Sequence, residues 1–185
     1  MKEDAFKMEW NIYIHVETDG KPLVKYSSPR CHWFWPQVTC IGYYCEPLCG
    51  EDRNGFHGTL RGSEEHISNM LEKCIFSNIP IYGRGVRMIA HNAEYAQNAI
   101  NAMQYRNERP LTFDVEEMYC LMLHSVDILQ IPFHGRFKYP SLREFVEHMS
   151  IALKTDFGNV RANITNMLIL LKDAFTYISD KKQLS

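Results

Sequence analysis

Large apolar residues alternate with polar ones from Trp10 to Val16, and again briefly from Leu23 to Tyr26. Alternation puts every second side chain on one face, which is the pattern of a half-buried strand. Asp19-Gly20 stands between the two runs, and Asp-Gly is a strong hairpin signal because both turn positions tolerate positive φ. The pattern predicts a β-hairpin, with Pro22 marking its second strand as an edge. After residue 55 the period changes. Ser63 reads as an N-cap, followed by Glu64 and Glu65 where the helix dipole favours anions. Ile67, Met70, Leu71 and Cys74 then recur at helical spacing. Asn92 starts a second helix, whose small-residue face of Ala96, Ala99, Ile100 and Met103 predicts close packing on a sheet. Met118 to Leu129, after the turn signal Arg109-Pro110, reads as a buried strand with a helix as its competitor. Ser141 and Glu144 fit a capping box, and Leu142, Phe145, Val146, Met149 and Leu153 continue it as a helix. From Asn159 to Ile178 the apolar residues fit a helix, yet Met167 to Leu171 also fits a central strand; periodicity leaves both open.

Composition narrows the classes. The chain has 185 residues, 45% hydrophobic, with a net charge of −2. Such a balance excludes a general basic footprint for nucleic acid and a charge-driven disordered tail. The longest apolar run, Met167 to Leu171, is far too short to span a bilayer. Residues 1–7 are polar and charged, without the apolar core of an export signal, so the expectation is an intracellular protein, cytoplasmic or nuclear, with reduced cysteines. Four of the six cysteines, three prolines and the run Trp33-Phe34-Trp35 crowd into residues 27–55, which predicts a loop-rich region of short strands. Cys31, Cys40, Cys45 and Cys49, with His32, could bind zinc, but they lack the Cys-x-x-Cys spacing of structural sites; the alternative is buried, unlinked thiols packed as small hydrophobes.

Candidate chemistry concentrates in residues 56–99. Phe56-His57-Gly58-Thr59 precedes the first helix, Tyr82-Gly83-Arg84-Gly85-Val86 follows it, and Asn92-Ala93-Glu94-Tyr95-Ala96 opens the second. A glycine after a histidine lets backbone approach a planar ligand, with its N–H and C=O free to bond an amide. The histidine offers a second polar contact, for instance to a sugar hydroxyl. Tyr95 can present an aromatic face for stacking.

The order and spacing of these pieces resemble the catalytic half of the ADP-ribosyltransferases of the diphtheria-toxin and poly(ADP-ribose) polymerase type, over residues 57–178 and most specifically over the first 40 of them. The resemblance implies an α+β fold with a split, mostly antiparallel sheet and short helices over residues 56–185, carrying an N-terminal β-rich extension over residues 1–55. It implies NAD as cofactor. His57 would bond the nicotinamide-side ribose, the backbone of Gly58 would hold the carboxamide, and Tyr95 would stack on the nicotinamide ring; His57 and Tyr95 are its catalytic pair. Thr59, Tyr82, Gly83, Arg84 and Arg87 would lie close to the same pocket. The implied activity is transfer of single ADP-ribose units to a protein or nucleic-acid acceptor.

Two positions depart from that family. Arg87 stands where it has a second tyrosine, and Met167, beside Asn166, stands where it has a glutamate that stabilises the ribosyl cation. Glu116, Glu117, Glu144 and Asp173 are the candidate replacements. The departures motivate an alternative, a catalytically inactive module that binds NAD, ADP-ribose or a protein partner. A third reading, an NAD-using enzyme that removes a phosphate from RNA ends, would need a basic lining, for which Arg84 and Arg87 are the local hints.

Overall fold

The structure, a computed structural model, describes residues 9–23, 31–48, 54–79, 85–109, 115, 117–158 and 163–183. In chain order its elements are β1 (Trp10–Thr18), β2 (Val38–Pro47), β3 (Phe56–Arg61), α1 (Glu64–Leu71) with a π-helical turn at Glu72–Phe76, β4 (Val86–Ala90), α2 (Ala93–Arg106), β5 (Glu117–Cys120), the one-turn helices α3 (Leu121–His124) and α4 (Val126–Leu129), the small hairpin β6 (Pro132–Phe133) and β7 (Arg136–Phe137), α5 (Leu142–Leu153) and α6 (Ile164–Gln183).

Five strands form one mixed sheet in the order β3-β2-β1-β4-β5. β1 runs antiparallel to β2, with Trp10 opposite Pro47 and Thr18 opposite Val38, and β2 runs antiparallel to β3. β4 is parallel to β1, and β5 is parallel to β4. A parallel neighbour needs a long crossover, and the chain supplies one through β2, β3 and α1 before β4 returns beside β1.

The pleat divides the core into two layers. Trp10, Ile12 and Ile14 of β1, with Val86, Met88 and Ala90 of β4, face the buried side chains of α1 and α2. Tyr13 and Ile89 face the other way, toward Phe145 and Met149 of α5 and Met167, Leu168 and Leu171 of α6. Both faces of the central strands are therefore covered, as a partly parallel sheet requires. The closest approach is at Gly42 of β2, where a methyl group would overlap the side chain of Ile164 at the head of α6.

The α+β expectation holds at that coarse level, and its details are corrected. The sheet is not split and mostly antiparallel, because β4 and β5 both run with β1. Residues 10–47 are not an extension packed on a separate domain; β1 is the central strand of the sheet, buried by helices on both sides. The partner of β1 in the meander is Val38–Pro47, not Leu23 to Tyr26, of which only Leu23 is among the described residues. Asp19 and Gly20 have no positive φ; they bend the chain out of the sheet, held by the Gln37 N–H donating to Asp19 at 2.8 Å. Met118 to Leu129 is a strand only to Cys120 and then two helical turns, and Met167 to Leu171 is helix. The helix starts are as expected: Ser63, Asn92 and Ser141 each accept a bond from a backbone N–H in the first turn, and Ser141 with Glu144 completes a capping box.

Cys40 and Cys45 are buried free thiols, Cys31 is partly buried, and Cys49 lies outside the described residues. Among the described residues no group of three metal-ligating side chains stands close enough to share an ion. Among the described residues no helix is long and apolar enough to cross a membrane.

Candidate functional site

β4 ends at Ala90, level with Ile14 of its parallel neighbour β1, which runs on to Thr18, and polar residues gather at this step. β1 finishes in His15-Val16-Glu17-Thr18; β4 is followed at once by His91 and by Asn92, the N-cap of α2. In an open sheet of this kind the carboxyl ends of neighbouring parallel strands are where connections diverge and leave a crevice. A cleft of about 970 Å³ opens at that place, lined by these β1 residues together with Trp35, Thr39, Asn92, Tyr95 and Asn98.

One wall is aromatic. The rings of Tyr95 and Trp35 lie 5.6 Å apart and tilted. The Tyr95 and Thr18 hydroxyls are 2.7 Å apart, tying α2 to the end of β1. Trp35 is fixed through its backbone. Arg106, in the last turn of α2, donates to the carbonyl oxygens of His32, Trp35 and Pro36, and to both oxygens of Glu64 at 2.8 and 2.5 Å. All five N–H donors of the guanidinium are thereby used. Glu64 also accepts from the Val38 N–H at 2.8 Å, so one ion pair joins α1, α2, the tryptophan loop and the start of β2.

Two buried imidazoles stand close by, His15 in the cleft lining and His91 in that of a small neighbouring cavity. Burial pulls the His15 imidazole down to about 4 and the His91 imidazole, also by burial first, to about 4. Both are neutral at pH 7. His15 lies 3.8 Å from Glu17, and Lys21 and Glu94 sit at the rim.

The residues expected from the sequence do not meet here. His57 lies opposite Tyr44, which lies opposite Tyr13, five residues back along β1 from the Thr18 that touches Tyr95. That is about 17 Å along the strand, and β3 is two strands away from β1. His57 and Thr59 also alternate away from Phe56 and Leu60, which pack on the α1 and α2 side, so they face away from the layer that holds Tyr95. The expected slot between His57 and Tyr95 is therefore not formed. Gly58 serves the core instead: a methyl group there would sit 2.5 Å from the Tyr43 hydroxyl oxygen. Arg87, at the far end of β4, pairs with Glu117 at 2.8 Å and lies over the Phe175 ring. Tyr82, Gly83, Arg84 and Glu116 lie outside the described residues. Met167 is core, Asn166 donates to the Phe157 carbonyl, and Glu144 is held by Lys138 and its cap. Neither Glu144 nor Asp173 is among the residues lining the cleft.

Among the described residues, Tyr95 is the one expected site residue that the cleft contains. Sequence reasoning did not single out His15, Glu17, Thr18 or His91. The available signal was positional: two buried strands each end in a short polar run just before a turn or helix. A scan against models of protein families gives no match to the chain, and a search of curated proteins gives none.

Proposed function

We propose that the protein binds a nucleotide, free or at the end of one nucleic-acid strand, in the cleft at the carboxyl ends of β1 and β4, and that it does so without cleaving it. The observation that carries this reading is the pairing of an aromatic wall, Trp35 and Tyr95, with the hydrogen-bonding side chains of Thr18, Asn92 and Asn98 in a cleft of nucleotide size. A base stacks on the rings; those polar side chains bond its edges and sugar. The net charge of −2 argues against tracking a duplex and fits a single nucleotide or a strand end.

The strand order, with β1 to β3 antiparallel and β4 and β5 parallel to β1, assigns no activity by itself. Two-metal cleavage of a phosphodiester needs carboxylates that hold two cations about 4 Å apart. The donors present do not fit. Glu17 and Glu94 are the cleft's carboxylates, the histidine beside Glu17 is buried and neutral, and no described group of three ligands can share an ion.

NAD and ADP-ribose remain as nucleotide ligands of this cleft, while ADP-ribose transfer loses its basis because His57 and Gly58 stand apart from it. Calorimetric titration of the full chain with AMP, ADP-ribose, NAD and a short single-stranded oligonucleotide tests the reading. Stacking on an aromatic side chain is worth about 1–3 kcal/mol per base, so Trp35→Ala should weaken binding by about 5- to 150-fold. A labelled oligonucleotide should stay intact with Mg²⁺ or Mn²⁺. No binding by any of the four, or cleavage that Glu17→Gln abolishes, overturns the proposal.

A further inference from the structure

Between α4 and α5 the chain makes a hairpin whose strands stand in solvent. Pro132–Phe133 (β6) pairs with Arg136–Phe137 (β7), and all four residues are exposed. The turn is as short as a hairpin allows: His134 and Gly135 take φ of 47° and 78°, the positive values of a tight turn that suits the strand twist. At the base the Lys138 N–H donates to the Ile131 carbonyl at 3.0 Å, and the Lys138 ammonium bonds Glu144, in the cap of α5, at 2.6 Å. A two-stranded ribbon has little stability of its own, so these ties hold it.

Its side chains are not those of a solvated loop. Phe133 is 51% exposed, Phe137 45% and Tyr139 61%. Between Ile131 and Ser141 the charged residues are Arg136 and Lys138, with no carboxylate among them. Phe133 and Arg136 stand directly opposite each other across the hairpin, so a ring and a guanidinium share one face. Among the described residues no carboxylate pairs with Arg136. Exposed rings interleaved with cations match the two needs of an unpaired nucleic-acid strand, whose bases stack and whose phosphates seek positive charge. A second copy of the chain fits this surface less well. It would bring like charge, and the bond between Lys138 and Ile131 puts Pro132 where an N–H would point outward, so the β6 edge lacks the donor that strand addition uses.

We propose that the β6–β7 hairpin is a second contact for a single nucleic-acid strand whose end lies in the cleft, with a base stacked on Phe133 and a phosphate bonded by Arg136. The assignment rests on the nucleotide reading and deepens it, since it makes the occupant of the cleft a strand rather than a free nucleotide. The chain itself supplies the continuity. Leu142, the third residue after Tyr139, lines the cleft, so the Tyr139 backbone stands within about 11 Å of a cleft residue.

Titration calorimetry of the full chain compares AMP with a single-stranded adenylate pentamer. The pentamer should bind at least about ten-fold more tightly. Phe133→Ala should cut pentamer affinity about 5- to 150-fold and leave AMP affinity unchanged, and Phe133→Tyr, which keeps a ring, should restore it. Arg136→Gln should flatten the slope of log K against log salt by about 0.7, the share of one phosphate on a single strand, while Arg136→Lys keeps the slope. Both side chains are exposed, so thermal midpoints of the four variants should match wild type. AMP binding with a pentamer that binds no tighter, or pentamer binding indifferent to Phe133→Ala and Arg136→Gln, overturns the hairpin contact alone. Failure of both ligands to bind overturns it together with the cleft reading. A concentration-dependent dimer of the wild-type chain that Phe133→Ala dissolves makes the hairpin an interface between copies and overturns the strand contact.

Discussion

Replacing Arg106 with methionine keeps an unbranched apolar stem and removes five hydrogen bonds at once. Glu64 keeps the Val38 N–H as its remaining described partner, and the carbonyl oxygens of His32, Trp35 and Pro36 each lose a donor. The pair is largely withdrawn from solvent, with side chains 18% and 11% exposed. Removing one partner of a buried ion pair costs about 3–5 kcal/mol because the other charge is stranded, and partial exposure puts Arg106→Met near the lower end, about 3 kcal/mol. For a chain of this size that lowers Tm by about 6–12 °C. Urea unfolding of Arg106→Met, Glu64→Gln and the double variant gives the coupling. The double variant should cost at least about 1 kcal/mol less than the sum of the single ones, because neither charge is left alone. The same loss frees the Trp35 backbone, so Arg106→Met should weaken nucleotide binding from a distance. If Arg106→Met costs under about 0.5 kcal/mol, or if the two changes add within that margin, water already satisfies these groups and the ion pair does not hold the aromatic wall.

Three further outcomes follow from the packing and the buried imidazoles. Gly42→Ala should destabilise by about 1–3 kcal/mol in urea unfolding, since the added methyl overlaps Ile164; trimming Ile164 to alanine in the same chain should relieve part of the strain, and an unchanged midpoint for Gly42→Ala would contradict the close approach of α6. His15 and His91 titrate near 4 when folded and near 6.5 when unfolded, so between those values the unfolded chain holds more protons. Stability should be full above about pH 6.5 and fall as pH drops toward 4, by up to about 1.4 kcal/mol per pH unit for each ring; denaturant midpoints that rise on going from pH 7 to pH 5 would refute this. Tyr95→Phe should cost about 0.5–1.5 kcal/mol through the lost hydroxyl bond to Thr18 while keeping the stacking surface, and differential scanning calorimetry with and without AMP separates the two effects.

Local signals in the sequence were read well where the physics is local. A capping side chain and the small face of α2 act within a few residues, and Ser63, Asn92, Ser141, Ala96 and Ala99 all do what their spacing implies. The errors came from long-range pairing. Nothing near Trp10 tells that its parallel partner is Val86, and without that pairing β1 looks like part of a peripheral hairpin. The site failed for the same reason. His57 and Tyr95 are close in a motif and far apart in space, while His15 and His91 are distant in sequence and share one cavity. Met167 to Leu171 shows a third cause. α6 is buried against the sheet along most of its length, so its apolar run is dense enough to imitate a central strand.

The placement of β1 has a consequence for how the chain is made. The strand that the finished sheet surrounds leaves the ribosome before its parallel neighbour and before the helices of both layers. Until β4 arrives, an apolar ribbon has only β2, β3 and α1 for cover, and closing so wide a loop is slow. Nascent chains cut short before β4 should therefore be the ones that seek chaperones or clump, and trimming the amino terminus into Trp10 should abolish folding where trimming the last turn of α6 is tolerated.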